Sequence, residues 1–215
     1  MPDLSFHIAG AELVPFAAVP QLAFKLSITD AEPTTQIHSV ALRCQIQIEA
    51  TRRRYSAAEQ KSVLELFGEP DRWSQTLRSL LWTHANTVVP GFHVHTVVDL
   101  PVPCTFDFNA AATKYFYGME DGEIPLCFQF SGTIFYLPAD LGLQVAPISW
   151  DREARFRLPV NVWREMMNRY YPNSAWLCLR RDVVERLQQY KIRHGFTSWE
   201  QALEEALAVE EPVGR

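Results

Sequence analysis

The first fifty residues alternate apolar and polar side chains with a period of two. Leu4, Phe6 and Ile8 interleave with Ser5 and His7, and Phe24, Leu26 and Ile28 interleave with Lys25 and Ser27. The longest run sets Leu42, Cys44, Ile46 and Ile48 against Arg43, Gln45, Gln47 and Glu49. Successive strand side chains point to opposite faces, so each run predicts a strand with one apolar and one polar side. One-sided strands belong to antiparallel sheets with a solvated face, since parallel strands are usually apolar on both sides.

The period then changes. Ser56 and Glu59 have the spacing of a capping box, Val63, Leu64 and Phe67 follow as an apolar stripe, and Gly68 supplies a stop. Pro70 opens a second short helix carrying Trp73, Leu77, Leu80 and Leu81, and Pro90-Gly91 marks a turn. Strand patterning resumes with Val98, Leu100, Val102, Cys104, Phe106 and Phe108 on one face. Pro101 and Pro103 on its other face cannot donate ladder hydrogen bonds, which predicts an edge or bulged strand.

A brief helix over 110–117 and an Asp121-Gly122 turn come next. Leu126, Phe128 and Phe130 then lead into Gly132, read as a bulge before Ile134 and Tyr136. Short strands are expected near 143–148 and 155–158. From Pro159 onward the pattern is helical: Asn161 is the expected cap of a helix bearing Trp163, Met166, Met167 and Tyr170, closed by Pro172. A short strand at 176–179 precedes a helix over 182–194 that Gly195 stops. Thr197 and Glu200 then have capping-box spacing for a last helix with Trp199, Leu203 and Leu207. The predicted architecture is one α+β domain over 1–215, an antiparallel sheet or sandwich. It is β-rich over 1–158, with a helical insertion at about 56–82, and mostly helical over 159–210.

Composition narrows the function more than the fold. Hydrophobic residues make up 47% and charged residues 21%, ordinary for a globular chain. At this length a domain buries roughly 70% of its unfolded surface, so it needs no disulfide or metal to hold it. A net charge of −5 weighs against a nucleic-acid partner, and Arg52-Arg53-Arg54 is too short a run to change that. Cys44, Cys104, Cys127 and Cys178 are widely separated, with no CxxC pair. The beginning Met1-Pro2-Asp3-Leu4 has no export-signal pattern, and no run approaches the ~20 apolar residues of a spanning helix. These features predict a cytoplasmic protein with reduced thiols and no membrane partner.

No GxSxG, Walker A or GxGxxG pattern occurs. The metal candidate is His84 with His93 and His95. His93-Val94-His95 on a strand would point two imidazoles to one face, with Asp99 or a cysteine as a further donor. The plainer reading is a polar strand face that includes two histidines. Cys44 and Cys104 fall on apolar faces, whereas Cys127 shares its face with Gln129 and Ser131 and is expected to be more accessible. Glu120-Asp121 with Glu123, and Asp151 with Glu153, lie in turn-like sequence where carboxylates serve solvation. No catalytic or cofactor-binding residue is assigned. Strand, helix, glycine, helix over 175–207 resembles a ribbon-helix-helix unit. Neither strand face offers base-reading side chains and the last helix carries Glu200, Glu204 and Glu205, so packing or self-association is the better reading.

Across nearly its whole length the chain resembles an uncharacterised actinobacterial domain family encoded near high-affinity nickel-iron hydrogenases. The likeness rests on 41–46 (ALRCQI), 66–70 (LFGEP), 81–84 (LWTH), 99–104 (DLPVPC), 130–133 (FSGT) and 199–203 (WEQAL). It implies a genomic neighbourhood and no catalytic residue. A second likeness is to the SecB export chaperone: 24–30 and 40–50 resemble its first paired strands, 128–132 a later strand, and 158–172 its helix. SecB implies a surface that binds unfolded clients.

The expected function is therefore that of a non-enzymatic accessory or chaperone-like protein. It would bind another protein, with a nickel-iron hydrogenase subunit or maturation intermediate as the candidate partner and Tyr115, Phe116, Tyr117 and Phe135 as candidate contacts. The alternatives are a metal-binding protein or metal-dependent enzyme built on the three histidines, and a structural homo-oligomer.

Overall fold

The computed structural model describes residues 2–31, 36–105, 110–138, 141–174 and 179–208. The chain packs as two compact units, Met1–Ser174 and Ala175–Arg215. Among its described residues the first unit holds eight strands: β1 (Leu4–Leu13), β2 (Gln21–Asp30), β3 (Gln36–Ile48), β4 (Leu80–Val89), β5 (His95–Pro103), β6 (Glu123–Leu137), β7 (Gln144–Pro147) and β8 (Glu153–Pro159). They form a three-stranded sheet in the order β1-β2-β5 and a five-stranded sheet in the order β4-β3-β6-β7, with β8 also on β6. Every pairing is antiparallel. The α+β class with antiparallel sheets, expected from the alternation, is the one observed.

The apolar faces of the predicted strands meet in the core. Leu22, Phe24, Leu26 and Ile28 of β2 are buried, as are Leu42, Cys44, Ile46 and Ile48 of β3. Phe24 lies at the crossing of the two sheets. Its ring packs edge-on at 5.0 Å from Phe128 of β6, 6.0 Å from Phe156 of β8 and 6.2 Å from Trp82 of β4. Phe6 of β1 stacks on Phe130 at 4.4 Å. Such ring pairs contribute ~1 kcal/mol each beyond the area they bury. β2 and β3 lie in different sheets, so the pairing of these two segments that a SecB likeness implies is not present.

Two strands behave as their prolines and glycines require. β5 pairs only with β2 among the described residues, with Pro101 opposite Ala23 and Pro103 opposite Gln21, so it is an edge strand. The expected bulge at Gly132 is absent, because the β3–β6 register runs unbroken through Leu42 opposite Gly132. What changes at Gly132 is the partner on the other side of β6. β8 pairs with Glu123 to Gln129 and β7 with Thr133 to Tyr136, and the Ile148 amide donates to the Gly132 carbonyl at 3.0 Å. Gly132 has φ +139°, and a Cβ there would stand 2.1 Å from the Ala41 carbonyl oxygen. Only glycine lets β3 approach so closely.

Helices cap one end of the sandwich: α1 (Ala57–Ser62), α2 (Leu64–Phe67), α3 (Trp73–Thr76), α4 (Ala110–Gly118) and α5 (Val160–Tyr170). The capping box is present, with Ser56 accepting from the Glu59 amide and Glu59 from the Ser56 amide, and Gly68 ends α2 at φ +72°. The second predicted helix is shorter than expected. It ends at Thr76, Leu77 is extended, and Leu80 begins β4. Trp82 falls at a register shift against Ile46 and Gln47 and turns into the core against Phe24 and Phe116. Pairing with β3 thus overrides the helical spacing. α5 is capped by Pro159 rather than Asn161, because β8 runs directly into the helix and the Val160 amide donates to the Gly122 carbonyl at 2.9 Å.

The second unit contains α6 (Arg181–His194) and α7 (Trp199–Ala208). Gly195, left-handed at φ +70°, ends α6 as predicted. The box that opens α7 lies one residue and one side chain away from the expected pair: Ser198 accepts from the Gln201 amide at 3.1 Å while Gln201 accepts from the Ser198 and Thr197 amides. The predicted strand at 176–179 and Cys178 fall largely outside the described residues, as do Phe106 and Phe108.

Candidate protein-binding face

Each strand of the five-stranded sheet turns one set of side chains away from the core, and the register lines these up in rows. Val88 of β4 stands opposite Ala41 of β3, Ala41 opposite Thr133 of β6, and Thr133 opposite Pro147 of β7. In the next row Ser39 faces Phe135, and Phe135 faces Val145. Val88 is 71% exposed and Val145 60%, with Leu143 and Leu141 also exposed. An open depression of about 640 Å³, lined by Ala41, Leu42, Arg43, Asn86, Thr87 and Val88, adjoins this apolar end.

The apolar rows run out to an unpaired edge. Among the described residues no strand pairs with the outer side of β7. Beyond that edge Trp150 is 93% exposed at a second recess, about 460 Å³, that also includes Leu4, Ile134, Pro147 and Ile148. Solvent-facing β-branched and aromatic side chains at a free strand edge are what natural sheets usually avoid or cover. Pro147 blunts one end of this edge, since it has no N–H to offer.

The other half of the same face is polar and internally bonded. His84 bonds Gln45 at 3.3 Å, and the Gln45 and Gln47 amides both donate to Gln129 Oε1, at 3.2 and 3.3 Å. Arg155 bridges Glu49 and Glu153. Cys127 lies beneath them, only 4% exposed, with its thiol donating to Glu153 at 3.7 Å. Its expected accessibility is thus corrected: long side chains on β3 and β8 cover it. Burial, reinforced by the Glu153 and Glu49 carboxylates, pushes this thiol up to about 11. Burial likewise raises Cys44 and Cys104 to about 12. Such thiols are poor nucleophiles at neutral pH.

The remaining sequence candidates disperse. Tyr115 and Phe116 are core residues: Tyr115 bonds Tyr55 at 2.8 Å, and Phe116 stacks on Trp163 at 5.2 Å. They cannot serve as contacts, because both point from α4 into the sandwich end. Tyr117 is 40% exposed and packs edge-on against the same Trp163 at 4.8 Å. Phe135 is half-buried in the apolar rows described above. His93 and His95 do not share a strand face. Val94 is left-handed at φ +67°, and the His95 amide folds back onto the His93 carbonyl at 2.8 Å. His95 bonds Ser27 in the three-stranded sheet, whereas His84 belongs to the five-stranded one. Among the described residues no group of three or more His, Cys, Asp or Glu side chains is gathered to hold a metal.

One buried ion pair stands apart from both halves. Arg53 and Glu59 have side chains only 8% and 5% exposed. Arg53 also donates to the Asp121 and Glu123 carbonyls, while Glu59 accepts from the Ser56 and Glu120 amides. Burial raises the Glu59 carboxyl, but the two amides and Arg53 outweigh it and hold the group below its ordinary value. Every oxygen of the carboxylate is engaged by the protein itself. The pair ties the α1 entry to the turn before β6.

A two-layer antiparallel β structure with helices at one end and a half-apolar outer sheet face is the class these elements define. The chain belongs to DUF6084, a family of unknown function whose model matches residues 1–214. It is also similar to the crystal structure of a Bordetella pertussis protein described as ApaA, at 13% identity and a TM-score of 0.24, over 73% of this chain and 93% of that one. None of the curated proteins matches the sequence. Among the described residues no helix is long and apolar enough to cross a membrane.

Proposed function

We propose that this protein is a non-enzymatic accessory protein that binds another protein through the outer face and β7 edge of its five-stranded sheet. The observation that carries the reading is the pair of rows Val88-Ala41-Thr133-Pro147 and Ser39-Phe135-Val145, apolar but for Thr133 and Ser39, ending at an unpaired strand edge. An extended partner segment fits this geometry. Its backbone would pair with β7, and alternate apolar side chains would rest on Val145 and beside Trp150. The chaperone-like aspect follows from main-chain recognition, which tolerates many sequences. The genomic neighbourhood implied by the family resemblance makes a nickel-iron hydrogenase subunit or maturation intermediate the first partner to test.

A photo-crosslinking side chain placed at Val145, with a second protein carrying it at Arg157 on the polar half, tests the site in cells that express the hydrogenase. The reading expects a crosslink to a hydrogenase subunit or maturation factor from Val145 and none from Arg157. Introducing Val88→Glu into the Val145 probe should abolish that crosslink. Equal crosslinking from both positions, or none from Val145, would refute it.

A further inference from the structure

The second unit is too small to bury its own apolar surface. It spans 41 residues (Ala175–Arg215), and among the described ones only Ala202 is a buried apolar residue. Two helices of 14 and 10 residues are marginal in water without a packed face, and a unit of this size rarely closes a core alone. Yet on α7 the apolar residues are not scattered, although Val184 and Ile192 of α6 are exposed outside the groove. At 3.6 residues per turn, Ala202, Ala206, Trp199, Leu203 and Leu207 form one continuous arc of α7. The last three are exposed, Leu207 at 67%. On α6, Val183, Leu187 and Tyr190 line a groove of about 540 Å³ that Ala206 of α7 completes.

Charge says what would cover this band. The groove's α6 side carries Arg186 and Arg193, and the α7 arc is flanked by Glu200 and Glu204. α7 carries Glu200, Glu204 and Glu205 and no basic residue. A twofold axis along the band places the α7 edge of one hairpin on the α6 edge of the other, bringing opposite charges together twice. A surface that is basic on one edge and acidic on the other is self-complementary in this way.

We infer that residues 181–208 are a dimerisation element whose occupant is the same element of a second copy. Leu203 and Leu207 of each chain seat in the Val183-Leu187-Tyr190 groove of the other, and Glu200 and Glu204 meet Arg186 and Arg193. The inference is independent of the sheet face above.

The test is solution mass by light scattering on the full chain, with far-UV circular dichroism to follow folding. The wild type should have twice the chain mass of 24.7 kDa. Leu203→Glu with Leu207→Glu should raise the dissociation constant about 100-fold or more and give a monomer. Glu200→Lys with Glu204→Lys should weaken the dimer about tenfold, and adding Arg186→Glu with Arg193→Glu should restore it. A monomeric wild type, a dimer unaffected by the leucine changes, or a charge reversal without rescue would each overturn the assignment. Rescue separates loss of pairing from loss of folding.

Discussion

Replacing Glu59 by Gln isolates the charge of the buried Arg53–Glu59 pair while keeping the shape of the side chain. Arg53 then keeps the Asp121 and Glu123 carbonyls but loses its counter-charge, with its side chain 8% exposed. Breaking a buried pair by removing one partner costs roughly 3–5 kcal/mol, because an uncompensated charge remains. A chain of this size has a urea dependence of about 2–3 kcal/mol per M, so the midpoint should fall by about 1–2 M at pH 7. The pH dependence gives a second reading of the same interaction. Glu59 titrates below its ordinary 4.5 in the folded protein, so its contribution is complete above 4.5 and is lost as pH falls through the lower folded value. Wild type should therefore lose stability relative to Glu59→Gln below pH 4.5, and the two midpoints should converge. Urea titrations followed by tryptophan fluorescence at pH 7 and across the acid range measure both. A cost under about 1 kcal/mol at pH 7, or parallel acid profiles, would show that the pair is not the clamp described.

Three other expectations follow from packing. Phe24→Ala removes the ring that touches Phe128, Phe156 and Trp82, and should cost about 3–5 kcal/mol in the same urea assay. Gly132→Ala, with its Cβ 2.1 Å from the Ala41 oxygen and φ at +139°, should cost at least about 2 kcal/mol, and Ser131→Ala beside it almost nothing. Cys127, raised to about 11, should be alkylated by iodoacetamide at pH 8 only after denaturant is added; peptide mapping by mass spectrometry reads this site by site.

The parts of the fold legible in the sequence were those where one strand's own pattern decides its state. Phe24-Leu26-Ile28 and Leu42-Cys44-Ile46-Ile48 carry their alternation whatever lies next to them. β4 was not legible, because Leu77, Leu80 and Leu81 continue the helical spacing of Trp73 and only the presence of β3 as a partner makes Leu80 extended. Missing β4 also hid Val88, which is 71% exposed against 60% for Val145. Val145 lay in a predicted strand, but its exposure depends on β7 being an edge, which is topology. The same holds for Tyr115, Phe116 and Tyr117: three consecutive aromatics on a helix must face different ways, and composition does not say which two turn inward. His93 and His95 separate because of one left-handed residue, Val94, which no local preference of valine announces.

The two halves of the outer sheet face share the same strands, and that constrains how a partner could use it. On the polar half, Gln129 accepts from both Gln45 and Gln47, and Glu49 and Glu153 share Arg155, so these side chains already satisfy one another. Displacing them would leave donors and acceptors unpaired, at a cost of about 1–3 kcal/mol for each group left buried. On the apolar half, covering Val88, Phe135 and Val145 breaks no hydrogen bond and gains about 25 cal/mol for each Å² removed from water. A partner therefore gains by approaching from the β7 side and stopping before the Gln129 row. Thr133 and Ser131, adjacent on the outer face of β6 with Gly132 between them, mark where that boundary falls.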